Sequence, residues 1–386
     1  MAVLNESDHE WMTEDYSYEY GPTAFAYMPS GRSVLVCVAK NIYVYSTVSG
    51  DHIATFTVPE HVLCSDMIAV FVSPDSDRVL AIGSNGVIHV WDLVSGKEAA
   101  YRTLLLPGPL IRFCVARDCQ HVVTTYSQNM YEHSTITIAR LSAAPGDIVR
   151  RFQAPCNVSS MCLSPDATIA YFTAEESIYI VDLNTEATLR QLTVPPFQDA
   201  GQAPWMGIHD RVQVPTISDD GKFFAAVLRR DKATRVYVWA LENAVVDTPA
   251  FTIGDAWYFS GVCISPNSKY VAVNDKSSVH VWSIQTQSLV LTINTTNLLK
   301  QYEFSPDSRH MFTTNVLSYE KRGPRMRPTG FGYGMSWDLT HRPRYALLAA
   351  VAGLPSWDKM FNARRRGGGD GDHAIKTNVL GFMGWP

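Results

Sequence analysis

Four basic residues set close together give this sequence its sharpest chemical signal. Lys321, Arg322, Arg325 and Arg327 fall within Tyr319–Tyr333, among prolines and glycines, with Phe331 and Tyr333 beside them. A guanidinium offers a fixed fork of N–H donors, and grouped with aromatic faces it can hold phosphate or the carboxylates of an acidic peptide. From residue 320 onward eleven lysines and arginines stand against five acids, so this stretch carries +6 and the remainder −11. The opposite charge lies at the other end. Residues 1–20 hold Glu6, Asp8, Glu10, Glu14, Asp15 and Glu19 with no lysine or arginine, interleaved with Trp11, Tyr16, Tyr18 and Tyr20. Two readings stay open for this pair of segments: each docks on an outside partner, or they neutralise one another.

Other candidates are aromatic. Trp205 and Met206 stand in Pro195–Arg211, a stretch with prolines, glycines and no alternation, which reads as a loop; Trp257 and Tyr258 precede a strand beginning near Phe259. Binding residues concentrate on loops held by a rigid frame, so these four are candidate partner contacts, the alternative being that they fold back onto the surface. Glu303 is a misplaced charge, three residues before Pro306, where other copies of the same unit put cysteine or another uncharged residue. If the units close into a ring, their first strands line its central channel and Glu303 is the candidate to face it. A carboxylate there must be paired or protonated: either a neighbouring arginine or backbone amide meets it, or it marks a ligand site.

Several chemistries are excluded by what is missing. There is no GxSxG, no HExxH and no glycine-rich phosphate loop, so no catalytic residue and no enzyme activity are expected. His52, His61, His89, His121, His209 and His280 lie far apart, and His89 and His280 repeat at one strand position as structural residues would. Seven cysteines with no CxxC pair and no cysteine–histidine spacing argue against zinc, against any other metal or cofactor, and for a reducing compartment. The longest apolar run, Tyr345–Leu354, falls short of the roughly 20 residues that span a bilayer. The N-terminus carries acids where a secretion signal carries bases, and Arg364–Arg366 is too short for a nuclear signal, so an intracellular, cytoplasmic rather than nuclear protein is expected.

The elements that must carry these residues are repeats. A strand-ending turn recurs as MPSG at Met28, SPDS at Ser73, SPDA at Ser164, SDDG at Ser218, SPNS at Ser265 and SPDS at Ser305, with a degenerate ARDC at Ala116. After each comes a closing strand: NIYVYS at Asn41, VIHVWD at Val87, TITIAR at Thr135, SIYIVD at Ser177, RVYVWA at Arg235, SVHVWS at Ser278 and GYGMSWD at Gly332. Proline has no amide hydrogen for a ladder and aspartate caps turns, so the first signal ends a strand. A fourth strand-like run follows. Four antiparallel strands repeated at a period of roughly 40 to 50 residues close radially rather than into one flat sheet.

These units resemble WD repeats, and the chain resembles the WD-repeat β-propeller family from about Thr23 to Val351. Trp91-Asp92 and Trp337-Asp338 are full WD pairs, Trp239 and Trp282 keep the tryptophan, and Val181-Asp182 keeps the aspartate; the family's Gly-His pair is essentially missing. The expectation is an all-β, seven-bladed β-propeller of four-stranded antiparallel blades over residues 23–351. An acidic-aromatic segment (residues 1–22) precedes it and a basic, glycine-rich tail (residues 352–386) follows. The resemblance implies a non-catalytic scaffold whose loops and altered seventh blade hold other proteins, an acidic peptide among them. The alternative is an anionic ligand, nucleic acid or phosphoinositide, held by the basic C-terminal region. The Phe-Arg-Arg-Gly motif of phosphoinositide-binding propellers is absent, Leu228-Arg229-Arg230-Asp231 being a distant echo, and neither WD pair has the arginine of cullin adaptors two residues on.

Overall fold

The computed structural model describes residues 2–4, 11–13, 23–59, 67–83, 86–93, 100–105, 112–126, 133–140, 148–174, 177–194, 211–230, 233–241, 248–256, 259, 261–275, 277–295, 298–316, 319–322, 325–328, 332–339 and 349–350. It is a β-propeller of seven blades.

Each turn signal does the same local work. In all seven copies the amide of the fourth residue donates to the carbonyl of the first, as in Ser76 to Ser73 and Cys119 to Ala116. The fourth residue then takes a positive φ, supplied by Gly31 and Gly221 in two blades and by Ser76, Cys119, Ala167, Ser268 and Ser308 in the others. Where the first residue is serine, its hydroxyl donates to the acid or amide two residues on and accepts from the amide five residues on. In blade 7 these bonds are Ser305 to Asp307 at 2.5 Å and His310 to Ser305 at 2.9 Å. Blades 2, 4, 5 and 6 repeat them. ARDC has no serine and still makes the turn, because the backbone bond carries it.

The first strand of each blade lies innermost. Met67–Val72, Arg112–Val115, Ser160–Leu163, Arg211–Ile217, Gly261–Ile264 and Leu298–Phe304 follow Ala24–Tyr27 around the axis, and the first strands touch between blades 1 and 2 and from blade 3 through to blade 7. Behind each, a second, third and in six blades a fourth strand from the same unit pair antiparallel in order, such as Arg78–Gly83, Val87–Asp92 and Ala100–Leu105 in blade 2.

Apolar side chains on both faces of each sheet are buried between blades, so the core is seven clusters, each shared by two neighbours. Leu35 and Ile42 of blade 1 pack with Met67 and Trp91 of blade 2. The ring closes where Phe312 of blade 7 enters the cluster of Phe25, Tyr27, Val34 and Tyr45 of blade 1, its ring 4.8 Å from that of Phe25.

The seventh blade takes its outer strand from the N-terminus. Trp11–Thr13 pairs antiparallel with Gly332–Asp338, Trp11 opposite Ser336, and Ala349–Ala350 adds a parallel strand outside it. Ala2–Leu4 runs parallel along Ser288–Asn294, the outer strand of blade 6.

Candidate functional site

Two places gather residues with chemistry. The first is the channel mouth on the side of the seven turns. Position two of the turn is proline in five blades, and Arg117 and Asp219 stand there in blades 3 and 5. Those two side chains find each other: Arg117 Nη2 donates to Asp219 Oδ2 at 2.8 Å and Nη1 to the Asp219 carbonyl at 3.4 Å. Blade 4 lies between theirs. The turns of blades 6 and 7 meet as immediate neighbours, the amide of Asn267 donating to the Ser308 hydroxyl at 3.1 Å.

Glu303 lies just inside this mouth, on the first strand of blade 7 opposite Phe312. Its side chain is exposed by surface area, yet the surrounding protein dehydrates it enough, with the negative charge of Asp219 adding to the effect, to push its carboxyl up to about 7. Both hold at once for a side chain on the wall of a narrow channel. In turn Glu303 adds to the burial that holds the thiol of Cys263, at the same position in blade 6, well above its ordinary value. Uncharged residues fill that tier elsewhere: Ala26, Phe71, Cys114, Cys162 and Thr216. Among the described residues no group of three or more histidine, cysteine or acidic side chains is placed to hold a metal ion.

The second place is the insertion in blade 7. Tyr319–Arg322 and Arg325–Pro328 form a separate two-stranded antiparallel ribbon between the second and third strands of the blade, joined to no other sheet. Its register sets Glu320 opposite Arg327, Lys321 opposite Met326 and Arg322 opposite Arg325. Positions 320, 322, 325 and 327 therefore share one face of the ribbon and position 321 the other, because strand faces alternate every residue. Tyr333 enters the third strand of the blade opposite Asn315. Trp205, Met206, Trp257, Tyr258 and Phe331 lie outside the described residues.

The histidines are spread through the blades. His89 is fully buried beside Trp91, and burial holds its imidazole below the ordinary value. His280 meets Asp275 at 3.1 Å and Thr292 at 3.2 Å within blade 6. The tryptophan of the closing strand varies too. In blade 7 the Trp337 indole donates to Thr313 at 2.9 Å, whereas in blades 5 and 6 the indole N–H groups of Trp239 and Trp282 are buried without a partner. Ala226 and Val273 hold the position that Thr313 fills in blade 7.

Arg117 and Asp219 were not among the sequence-derived candidates. The signal was present, since theirs are the two turns without proline, but pairing between them needs the curvature of the ring. Compared with known proteins, the chain matches no family model and no curated sequence. Among the described residues no helix is long and apolar enough to cross a membrane.

Proposed function

We propose that this chain is a divergent WD-repeat propeller acting as a non-catalytic interaction scaffold, which holds a protein partner with an acidic segment against its seventh blade. The observation that carries this reading is the ribbon of Tyr319–Arg322 and Arg325–Pro328. It adds to no blade, and it brings three arginines to one face by register. Segments that a fold does not need for its own core are where a rigid frame carries recognition. The WD assignment is supported by the serine turns and by the Trp337–Thr313 bond of blade 7. A reducing, intracellular setting is supported by the six described cysteines, none of which is joined in a disulfide.

The test is affinity purification of the tagged full chain from its own cells beside a variant with residues 319–328 replaced by a short turn. Partners captured by the full chain and lost with the ribbon are expected. An identical set from both proteins would overturn the seventh-blade site.

A further inference from the structure

We propose that the ribbon of blade 7 is a receptor for a phosphomonoester dianion on a protein partner, held between Arg322 and Arg325, which stand directly opposite one another in its register. The proposal rests on the reading of the ribbon as a contact surface and adds the chemistry of what it contacts.

Directly opposed residues of an antiparallel pair have Cβ atoms about 4.5–5.5 Å apart, and like charges so placed disfavour the pairing. One acid lies within the described ribbon, Glu320, and the register sets it against Arg327. By register the rung of Arg327 sets an acid opposite a cation, whereas the rung of Arg322 and Arg325 sets a cation opposite a cation. That doubly positive rung is the last pair of the ribbon's register.

Two positive charges at one rung suit one compact anion of matching charge. A phosphomonoester carries roughly −1.5 to −2 at neutral pH and offers three acceptor oxygens, enough for two guanidinium forks; a carboxylate carries one charge and two oxygens. A nucleic-acid backbone distributes single charges along its length and calls for cations strung along the strands. Here the next position inward, Lys321, falls on the other face opposite Met326. A phosphorylated side chain on a protein is therefore favoured over a nucleic acid.

Fluorescence anisotropy on the full-length protein tests this, with a labelled heptapeptide carrying one central phosphoserine between glycines and alanines. Controls are the same peptide with serine or glutamate there, and a labelled single-stranded oligonucleotide. The phosphoserine peptide is expected to bind at least about tenfold more tightly than the glutamate peptide, with inorganic phosphate competing. Arg322→Gln and Arg325→Gln should each weaken it by about tenfold or more, the loss of a charge-assisted fork, and Arg325→Lys should restore only part of it. Equal binding of the glutamate peptide, tighter binding of the oligonucleotide, no binding of the phosphoserine peptide, or unchanged affinity in Arg325→Gln would each overturn the proposal. Failure of the broader reading looks different. Partners that depend on the ribbon but survive phosphatase treatment would leave the scaffold standing and remove the phosphate, whereas partners indifferent to the ribbon would remove both.

Discussion

Arg117 and Asp219 pair at 2.8 Å although blade 4 separates their blades. Each replaces the proline that the other five turns carry at that position. The pair is about half exposed, with 51% and 40% of its side-chain surfaces open, so it contributes about 0–1 kcal/mol at most. Its consequence is electrostatic. It fixes a carboxylate at the channel mouth close enough to Glu303 to help raise that carboxyl.

Glu303 should therefore make stability fall as pH rises. Its folded value, about 7, lies above the ordinary 4.5, so its favourable contribution is complete below about 4.5 and is lost as pH climbs through about 7. Urea denaturation of Glu303→Gln should show a variant more stable than the parent at pH 8 and equal to it at pH 4. A constant difference across that range would show that Glu303 does not titrate as described. Asp219→Asn should lower the Glu303 value in a carboxyl NMR titration, and no movement there would show that the two groups are uncoupled.

The turn acids have the opposite sign. Asp75 and Asp166 are held below the ordinary carboxylate range chiefly by their bonds from Ser73 and Ser164; in Asp307 burial works against this but the bonds from Ser305 and the Arg309 amide outweigh it. Their contribution is present above the ordinary value of 3.8 and disappears as pH falls below it. Replacing Ser164 and Ser305 with alanine should flatten the acid limb of the stability profile between about pH 4 and 2. An unchanged slope would show that the serine bonds do not hold those carboxylates down.

The seven turns and closing strands were legible in the sequence because they are local: a serine, a proline, an acid and a reversal, followed by a β-branched run, as at Ser164–Asp182. Turn ARDC was readable by position although its Ser and Pro are gone, since its backbone bond does not need them. What could not be read is what the ring brings together. Arg117 and Asp219 are far apart in the chain, and Trp11 reaches Ser336 only because the propeller brings its two ends together. Glu303 was visible as an odd charge at a repeated position; its elevated carboxyl needed the channel around it. The facing of Arg322 and Arg325 depended on a ribbon register that turn residues alone do not specify.

The indole bond in blade 7 predicts a pair of stability changes. Thr313→Val keeps shape and removes the hydroxyl that accepts from the buried Trp337 N–H, which costs about 1–3 kcal/mol. Val273→Thr in blade 6 places a hydroxyl at the corresponding position beneath Trp282, whose indole N–H is now unpartnered, and should raise stability by about 0.5–1.5 kcal/mol. Chemical denaturation of both variants measures this. A neutral Thr313→Val would mean that the bond contributes nothing net, and a destabilised Val273→Thr would mean that the hydroxyl finds no indole.

The last prediction concerns closure. Trp11–Thr13 is the outer strand on Gly332–Asp338, and Ala349–Ala350 pairs with the propeller only through it, so removing residues 1–13 strips two strands from blade 7 and a third from blade 6. The inter-blade cluster around Phe312 stays, because every member belongs to blades 1 and 7 inside that edge. The shortened chain should therefore fold and melt lower by more than about 5 °C, the shift that a loss of a few kcal/mol gives in a large domain. Met12→Pro, which removes one ladder donor opposite Met335, should give part of that drop. Melting curves that superimpose on the parent for both would show that the N-terminal strand does not close the ring.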